Sequence, residues 1–404
     1  MKYCSYVSIA IFTFVLSALS VTFTAGDAQA EWTTETIDGS AGTNVGLYTS
    51  IAVSKKGKLD ISYHDYTNGN LKYTTNRQGY WEISTVADSG STGMYSSLVL
   101  SPIKFNSEPG ELGTATKNFS YFDYKNGMLM YATIKRGDIK TYKVDSGFDY
   151  SDPEKEKASV GWFSSISNAV DLRPHIAYYD LTNKNLKYAF IRKRRGRSMT
   201  TETVDGDGGM DVGRYCSIVN VDVNGGCYIS YRDDTNNNLK CATNVNGGWL
   251  IEEVASGAEN DASGPTHNSI ARDSSGNIHI AYYDNGNDKN LKYATNSSGS
   301  WVTSSVDDTV IDGADSRPYC GKYNSIAVDS SGYVHISYYD DSSNRDGQNL
   351  KYATNSSGSW EVTIVDSTDN VGLYTSLALG FSGEVYISYY DVTNGDLKLA
   401  TYTE

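Results

Sequence analysis

Seven copies of one repeat, built from short tyrosine-rich segments without helical periodicity, predict an all-β protein, a seven-bladed β-propeller of four-stranded blades. The repeat is marked by a phrase that reads ISYHDYTNGNLKYTTN at 61–76 and ISYYDVTNGDLKLATY at 387–402. Its aspartate recurs at intervals of 51 to 58 residues, which is the length of a propeller blade with four strands and their turns. The seven aspartates are Asp65, Asp123, Asp180, Asp233, Asp284, Asp340 and Asp391.

Each repeat contains four segments rich in β-branched and aromatic residues, which we call strands a to d in chain order. Strand a reads like SIAVD, strand b like ISYYD, strand c like LKYAT and strand d like WxxxTVD. Gly, Asn and Ser turns separate them, as expected for short strands. By the usual order of a propeller, strand a lies at the central axis and strand d at the rim.

The two ends of the chain complement each other. Residues 32–37 form a lone strand d, whereas the C-terminal repeat has strands a, b and c without a strand d. We therefore expect the N-terminal strand to pair with the last three strands, which closes the ring and removes a free sheet edge.

The first 30 residues are predicted to be a secretory signal peptide that is cleaved after Ala30. Lys2 precedes an apolar run from about Tyr6 to Phe23, and the small-residue site Ala28-Gln29-Ala30 follows it. A retained membrane anchor is the alternative, but serines and threonines interrupt the run. The prediction is a propeller over 31–404 that is secreted, periplasmic or at the cell surface, with no transmembrane span.

The charge of the chain argues against nucleic acid as a partner. The sequence has 48 acidic and 34 basic residues, a formal net charge of -14, whereas phosphate backbones bind positively charged surfaces. An acidic surface with 33 tyrosines suits cations, sugars or proteins instead.

Four cysteines follow Ala30, and they allow three disulfide connectivities. The repeat places Cys216 and Cys227 near opposite ends of one hairpin, too far apart to bridge. A disulfide between Cys216 and Cys320 is the one pairing that we consider geometrically feasible.

Strand a begins with an aromatic side chain in every repeat, and a serine follows two positions later. Because strand a lines the axis, these side chains are predicted to ring one mouth of the central channel, on the face of the d–a and b–c loops. A structural role is the alternative for all of them. We favour it for the serines, for the strand b aspartates, which have the sequence of Asx turns, and by a smaller margin for the aromatic residues. The predicted ligand-binding residues are Tyr48, Tyr95, Phe163, Arg214, Tyr215, His267, Tyr323 and Tyr374.

Departures from the repeat concentrate in blades 4 to 6, near the same mouth. Asp211, His267, Asp315 and Arg317 are candidate catalytic residues there, because an acid, a base and a guanidinium can bind a charged sugar and catalyse its cleavage. The loop DGDGGMD at 205–211 offers Asp205, Asp207 and Asp211 as calcium ligands, with a solvated loop as the alternative.

Two further groups of residues have a structural interpretation and a functional one. His175, His279 and His335 share one position of strand b, where we expect packing rather than metal ligation. The opposite face of blades 1 to 3 is basic and is a candidate for docking an anionic cell-surface polymer, although we favour ordinary solvated turns. Its residues are Lys55, Lys56, Lys58, Arg77, Lys104, Lys135, Arg136, Arg192, Lys193, Arg194, Arg195 and Arg197.

The SIAVDSSG-x-x-HISYYD rhythm over about residues 31–404 resembles exported bacterial repeat propellers of the sialidase-like and NHL-like type, and this resemblance implies their shape. It does not extend to sialidase motifs: SSGSW at 297–301 and 356–360 does not match the S-x-D-x-G-x-x-W box, and no arginine triad is identifiable. Fold alone does not imply function. Two classes remain: a non-catalytic binding or adhesion module that recognises a glycan or protein at the mouth, or a secreted glycoside hydrolase or polysaccharide lyase with a carboxylate and histidine site in blades 4 to 6.

Overall fold

The computed structural model describes residues 31–101, 115–147, 159–169, 173–191, 199–206, 208–221, 225–257, 265–286, 288–308, 318–342 and 348–403. These residues form seven four-stranded antiparallel sheets. The innermost strands of neighbouring sheets contact each other all the way around the ring. The predicted seven-bladed β-propeller is thereby confirmed. No helix within the described ranges has the length and apolar character needed to cross a bilayer.

The strands follow the predicted order. The chain begins with β1 (Glu31–Asp38). Blade 1 contains β2 (Val45–Val53), β3 (Leu59–Asp65), β4 (Asn70–Thr75) and β5 (Glu82–Ala87). Blade 2 contains β6 (Thr92–Ser101), β7 (Thr116–Asp123), β8 (Met128–Lys135) and β9 (Asp138–Asp145). Blade 3 contains β10 (Val160–Asn168), β11 (Pro174–Asp180), β12 (Asn185–Ile191) and β13 (Met199–Asp205).

The second half of the ring repeats this order. Blade 4 contains β14 (Val212–Asn220), β15 (Cys227–Asp233), β16 (Asn238–Thr243) and β17 (Leu250–Ala255). Blade 5 contains β18 (Pro265–Arg272), β19 (Ile278–Asp284), β20 (Leu291–Thr295) and β21 (Val302–Asp307). Blade 6 contains β22 (Cys320–Val328), β23 (Val334–Asp340), β24 (Asn349–Thr354) and β25 (Glu361–Asp366). Blade 7 contains β26 (Val371–Leu379), β27 (Val385–Asp391), β28 (Asp396–Thr403) and β1.

The two ends of the chain close the ring as predicted. Strand β1 pairs antiparallel with β28, from Glu31 opposite Thr403 to Asp38 opposite Leu397. The proposed signal peptide lies outside the described residues and stays a prediction.

Burial increases from the rim towards the middle of each blade. Strand β11 is buried at all seven positions, whereas β25 exposes its first four residues. Seven hydrophobic clusters lie between neighbouring blades, and one of them joins Tyr188 of blade 3 to Ile229 of blade 4. Because strand b packs against a neighbouring blade on both faces, its sequence is almost continuously apolar and aromatic.

The seven serines of strand a connect the blades around the axis. Each one accepts a hydrogen bond from a backbone N–H of strand a in the next blade. Ser325 accepts from Leu377 at 3.0 Å, and Ser376 closes the ring by accepting from Ile51 at 3.1 Å. The structural interpretation of these serines is correct.

The strand b aspartates form the expected Asx turns. Asp233 accepts hydrogen bonds from the backbone N–H of Asn236 at 2.9 Å and from its side-chain amide at 2.8 Å. Lys240 of strand c lies 2.7 Å from the same carboxylate. These groups satisfy the carboxylate within its own turn, which is a structural role.

A second set of aspartates, which end strand d, connects neighbouring blades. Asp366 of blade 6 accepts a hydrogen bond from the Tyr389 hydroxyl of blade 7 at 2.6 Å, and Lys398 of blade 7 lies 2.6 Å away. Asp38, Asp145, Asp205 and Asp307 make the same contacts with a tyrosine and a lysine of the next blade. We call each set an Asp–Tyr–Lys junction. Strands β5 and β17 end in alanine and have no such carboxylate.

The strand b histidines are packed as expected. Nδ1 of His279 lies 2.5 Å from the Tyr293 hydroxyl of strand c, and His335 makes the same contact with Tyr352. Burial is the largest influence on the pKa of His279 and lowers it, although Asp273 opposes the shift.

The disulfide between Cys216 and Cys320, which the sequence left open, does not form. Cys216, Cys227, Cys241 and Cys320 are all free and buried. Cys216 lies in β14 and Cys320 in β22, so the whole of blade 5 separates them. The Cys216 thiol instead donates to the carbonyl of Phe163 at 3.1 Å, and that of Cys320 donates to the carbonyl of Asp307 at 3.3 Å.

Candidate functional site

The aromatic residues that begin strand a form a closed ring around the central axis. The centroids of neighbouring side-chain rings are 4.5 to 4.7 Å apart in all seven pairs. We call this set the axial ring. Its members are Tyr48, Tyr95, Phe163, Tyr215, His267, Tyr323 and Tyr374. The sequence prediction of an aromatic ring at this position is confirmed, whereas its role in binding stays a prediction.

The axial ring has an unusual backbone. Every member has a φ between 42° and 56°, in the left-handed region that bulky residues avoid. Each of the seven strands has a register irregularity around this position, as in a β-bulge. In blade 4 the strand approaches its neighbour closely, because a Cβ on Gly213 would lie 2.7 Å from Cα of Leu186.

Neighbouring blades hold this backbone in place. Ser96 of blade 2 donates a hydrogen bond to the carbonyl of Tyr48 at 2.7 Å, and Thr375 of blade 7 donates to that of Tyr323 at 2.9 Å. Such strain of roughly 1–3 kcal/mol per residue persists only where the surroundings enforce it. The axial ring is therefore a rigid part of the fold.

The tyrosines of the axial ring are neutral and converge on the axis. Burial is the largest influence on the pKa of Tyr95 and raises it, and interactions with Tyr374, Tyr215 and Tyr323 raise it further. These partners are not neighbours of Tyr95 in the ring, so the tyrosines influence one another across the axis. Five of the seven side chains that surround the axis beneath the mouth are phenols.

His267 is a stacked member of the axial ring. Its ring lies 4.5 Å from that of Tyr215 and 4.6 Å from that of Tyr323. Burial, followed by the positive charges of Lys322 and Arg232, lowers the pKa of His267 to about 3. The imidazole is neutral at pH 7 and a weak base, which suits packing better than general acid–base catalysis.

Asp211 and Arg214 lie together at the edge of the mouth. Asp211 accepts a hydrogen bond from the Tyr179 hydroxyl at 2.7 Å. The Arg214 guanidinium lies 3.5 Å from Asp211 and 3.1 Å from Asp234. The structure therefore brings two of the predicted site residues together, whereas Asp315 and Arg317 lie outside the described residues.

The proposed calcium ligands are not a preformed site in the described part of the loop. Asp205 belongs to an Asp–Tyr–Lys junction, where Tyr231 donates to it at 2.6 Å and Lys240 lies 3.6 Å away. Asp207 lies outside the described residues. Among the residues that the structure does describe, no group of three or more His, Cys, Asp or Glu side chains is arranged to hold a metal ion. Calcium binding stays an untested prediction.

Two positions of each repeat divide the mouth into halves, and of the residues at these positions only Arg214 was predicted from the sequence. The residue before each axial-ring member is apolar in blades 7, 1, 2 and 3 (Leu373, Leu47, Met94, Trp162) and polar in blades 4 to 6 (Arg214, Thr266, Lys322). The residue after each strand b aspartate follows the same division, with Val392, Tyr66, Tyr124 and Leu181 against Asp234, Asn285 and Asp341. We call these halves the apolar sector and the charged sector. This division between apolar and polar residues is visible in the sequence when the seven repeats are aligned by their strand b aspartates.

The apolar sector presents fixed aromatic surfaces to solvent. Tyr66 is 62% exposed and stands edge-on to His64, and Tyr124 is 60% exposed and stands edge-on to Phe122. Trp162 is half-buried, and its indole N–H donates to the Ser159 hydroxyl at 2.8 Å. Buried neighbours and hydrogen bonds thus orient side chains that would otherwise rotate freely.

The charged sector consists of ion pairs at the positions of blades 4 to 6 that correspond to the apolar sector. Lys322 pairs with Asp341, and Arg232 pairs with Asp234, which also contacts Arg214. Because each cation has a carboxylate partner, this half offers hydrogen-bond donors and acceptors together.

Comparisons with known proteins identify the class of fold. Neither family models nor curated proteins give a match. Among solved structures, AofleA from Arthrobotrys oligospora matches with a TM-score of 0.50 and 15% identity over 84% of this chain and 90% of that chain. A mutant of the alpha-L-arabinofuranosidase arb93a from Fusarium graminearum, in complex with an iminosugar inhibitor, matches with a TM-score of 0.50 and 12% identity over 92% and 96%.

The Aleuria aurantia lectin in complex with Fucalpha1-6GlcNAc matches with a TM-score of 0.47 and 11% identity over 83% of this chain and 99% of that chain. Likeness at these identities shows the fold alone. The protein is a β-propeller, and the narrower resemblance to sialidase-like and NHL-like propellers has no support from sequence families.

Proposed function

We propose that the protein is a non-catalytic carbohydrate-binding propeller whose mouth holds a glycan between the apolar and charged sectors. The division of the mouth into these halves carries the proposal. Sugars have apolar C–H faces, which pack on exposed aromatic side chains such as Tyr66 and Tyr124, and hydroxyl groups, which need paired donors and acceptors such as Arg214 and Asp234. Ligand sites generally combine aromatic walls with a few oriented polar groups.

Two further observations support binding rather than catalysis. The axial ring surrounds the axis with neutral side chains, and its only imidazole has a pKa of about 3. Asp211 is already engaged by Tyr179 and Arg214. The fold of a carbohydrate-cleaving enzyme, the arabinofuranosidase, offers analogy only.

The test is a glycan array probed with residues 31–404, followed by titration calorimetry on the best ligands. The variants Trp162→Ala and Tyr66→Ala/Tyr124→Ala should weaken binding at least about fivefold, because each removes aromatic contact area worth about 1 kcal/mol or more. Tyr80→Ala and Phe381→Ala are matched controls, since these residues are 62% and 71% exposed and lie in turns of the opposite face. They should leave affinity unchanged.

Three other outcomes would contradict glycan binding at the mouth or favour the alternative function. Equal affinity in mouth and control variants would place the glycan elsewhere, and a blank array would reject glycan recognition at the mouth. Release of reducing sugar by the wild-type protein, lost in Asp211→Asn, would favour the hydrolase alternative. A parallel array with EDTA tests the calcium prediction.

We also propose that the protein acts outside the cytoplasm after removal of residues 1–30. The support is the sequence pattern of the first 30 residues. Mass spectrometry of the exported protein should find Glu31 at its N-terminus, and a retained Met1 would contradict this.

A further inference from the structure

At the outer rim, a tryptophan at the start of strand d covers most of the interfaces between neighbouring blades. These residues are Trp32, Trp81, Trp249, Trp301 and Trp360. Trp249 packs edge-on against Tyr188 of the preceding blade, with 5.3 Å between ring centroids, and its N–H donates to Glu202 at 2.9 Å. Trp360 covers Tyr293 in the same way at 5.4 Å.

The junction between blades 2 and 3 lacks this tryptophan. The strand register places Met199 in its position, because Met199 pairs with Ile191 as the strand begins. The residue of blade 2 that corresponds to Glu202 is Tyr142, which lies opposite Tyr131. Of the two groups that contact Trp249, this junction therefore keeps the tyrosine as Tyr131 and replaces the glutamate with Tyr142, while Met199 replaces the tryptophan itself.

A groove of about 380 Å³ opens there, and Tyr131, Tyr142, Lys135, Arg136, Lys140 and Ile191 line most of it. This volume lies within the range of roughly 300–1,000 Å³ that is typical of ligand sites. We call it the junction groove. It lies beside the turn between strands c and d, on the face opposite the mouth, and uses no residue of the axial ring or of either sector.

The lining of the junction groove combines an aromatic wall with positive charge. The rings of Tyr131 and Tyr142 are stacked, with centroids 5.8 Å apart and planes inclined by 28°. The Tyr131 hydroxyl donates to Asn118 at 2.6 Å, which fixes the wall. Three cationic side chains line the groove against one carboxylate, that of Asp138. A chain with a net charge of -14 thus has a groove with an excess of positive charge.

We propose that the junction groove binds a carboxylate-bearing sugar residue of an acidic polysaccharide. The sugar ring packs against the tyrosine wall in the volume that an indole fills at other junctions. Its carboxylate faces Lys135, Arg136 and Lys140, which attract anions. The proposal shares a ligand class with the mouth but stands on separate residues, so that either site can fail without the other.

The experiment compares binding of oligogalacturonate with that of its methyl ester, measured by calorimetry on residues 31–404. The free acid should bind and the ester should bind at least about tenfold more weakly, because esterification removes the charge. Lys135→Ala/Lys140→Ala should weaken binding of the acid by a similar factor. Lys55→Ala/Lys56→Ala removes two exposed lysines from another turn of the same face and is the matched control for net charge.

A third variant tests the groove itself. Met199→Trp restores the residue that the repeat has elsewhere, so it should fill the groove, abolish binding of the acid and leave the melting temperature unchanged or higher. Tyr66→Ala/Tyr124→Ala should leave binding of the acid intact, which separates this site from the mouth. Equal binding of acid and ester, failure of both to bind, or full affinity in Lys135→Ala/Lys140→Ala would overturn the proposal.

Discussion

At the scale of single residues, the same left-handed backbone conformation occurs at one equivalent residue in each of the seven blades. Each axial-ring member has a left-handed backbone, and the next blade supplies a hydrogen bond close by. The serine two positions later accepts a neighbouring backbone N–H in every blade. The strained residue and the hydrogen bonds that compensate for its strain therefore belong to different blades. These hydrogen bonds form only when neighbouring blades pack together.

Replacement of one of these serines should have a measurable cost. In Ser325→Ala the backbone N–H of Leu377 loses its acceptor, and an unsatisfied buried donor costs about 1–3 kcal/mol. Urea-induced unfolding should show this loss. Ser330→Ala, in an exposed turn, is the control and should unfold like the wild type. Equal midpoints for both variants would mean that water replaces the serine.

His267 should make stability sensitive to acid. Its pKa of about 3 in the folded state lies below the value of about 6.5 for an unfolded histidine, so the unfolded chain takes up the proton first as the pH falls. Stability is complete above about pH 6.5 and declines below it, by roughly 3 kcal/mol at pH 4 from this residue. In His267→Tyr, which restores the side chain common in the axial ring, the difference in unfolding free energy between pH 7 and pH 4 should shrink by about that amount. An unchanged pH dependence would show that folding leaves the pKa of His267 near its unfolded value.

At the scale of elements, strand β1 contributes the outermost strand of blade 7. It pairs with β28 along its length, and Asp38 at its end accepts the Tyr63 hydroxyl of blade 1 at 2.5 Å. One short strand thus completes a sheet and joins two blades.

Removal of residues 31–38 should open the ring. The shortened protein exposes the backbone edge of β28, and exposed edges promote self-association. We expect a lower melting temperature and a larger species on size-exclusion chromatography. A peptide of residues 31–38 added in trans should reverse both effects, and a monomer of unchanged stability would contradict the role of β1.

The Asp–Tyr–Lys junctions should contribute more than surface ion pairs do. Asp307 is 1% exposed and accepts the Tyr338 hydroxyl at 2.7 Å, with Lys351 at 3.1 Å. Asp307→Ala removes the acceptor of the buried Tyr338 hydroxyl, whereas Lys351 keeps a second carboxylate, that of Asp340 at 2.7 Å. We therefore expect a loss of about 1–3 kcal/mol of unfolding free energy. The exposed neighbour provides the control, and Asp308→Ala should change stability by no more than about 0.5 kcal/mol. Similar losses in both variants would show that the junction adds nothing.

At the scale of the whole molecule, the four buried thiols report on opening of the ring. Burial is the largest influence on the pKa of Cys216 and Cys241 and raises both. Protonated, inaccessible thiols react slowly. In the protein from Glu31 onward, Ellman's reagent should titrate no thiol rapidly under native conditions and all four in denaturant. Fast labelling of the native protein would indicate local opening, and fewer than four thiols in denaturant would indicate a disulfide.

The sequence was sufficient for the fold because the repeat identifies the blades and the incomplete end repeats identify the closure. It was insufficient wherever two blades meet. Asp366 and Tyr389 are both conspicuous in the repeat. Their hydrogen bond, however, depends on how blade 6 packs against blade 7, which the sequence of one repeat does not contain. The same limit left the pairing of Cys216 with Cys320 open, although the whole of blade 5 lies between the two residues. Trp162 was not predicted because its position is apolar in four of the seven repeats, which is also the pattern of a packed structural position.

The pairing of β1 with β28 brings Glu31 opposite Thr403, so a short linker could join the two ends. A circularly permuted gene could then begin at the turn between β5 and β6, and all seven blades would be continuous in sequence. The position of the chain ends within blade 7 would in that case not be required for folding. The ends could equally be placed at the d–a turn of any other blade. A display scaffold could use this freedom to attach a cargo to a chosen blade, on the face that carries the mouth.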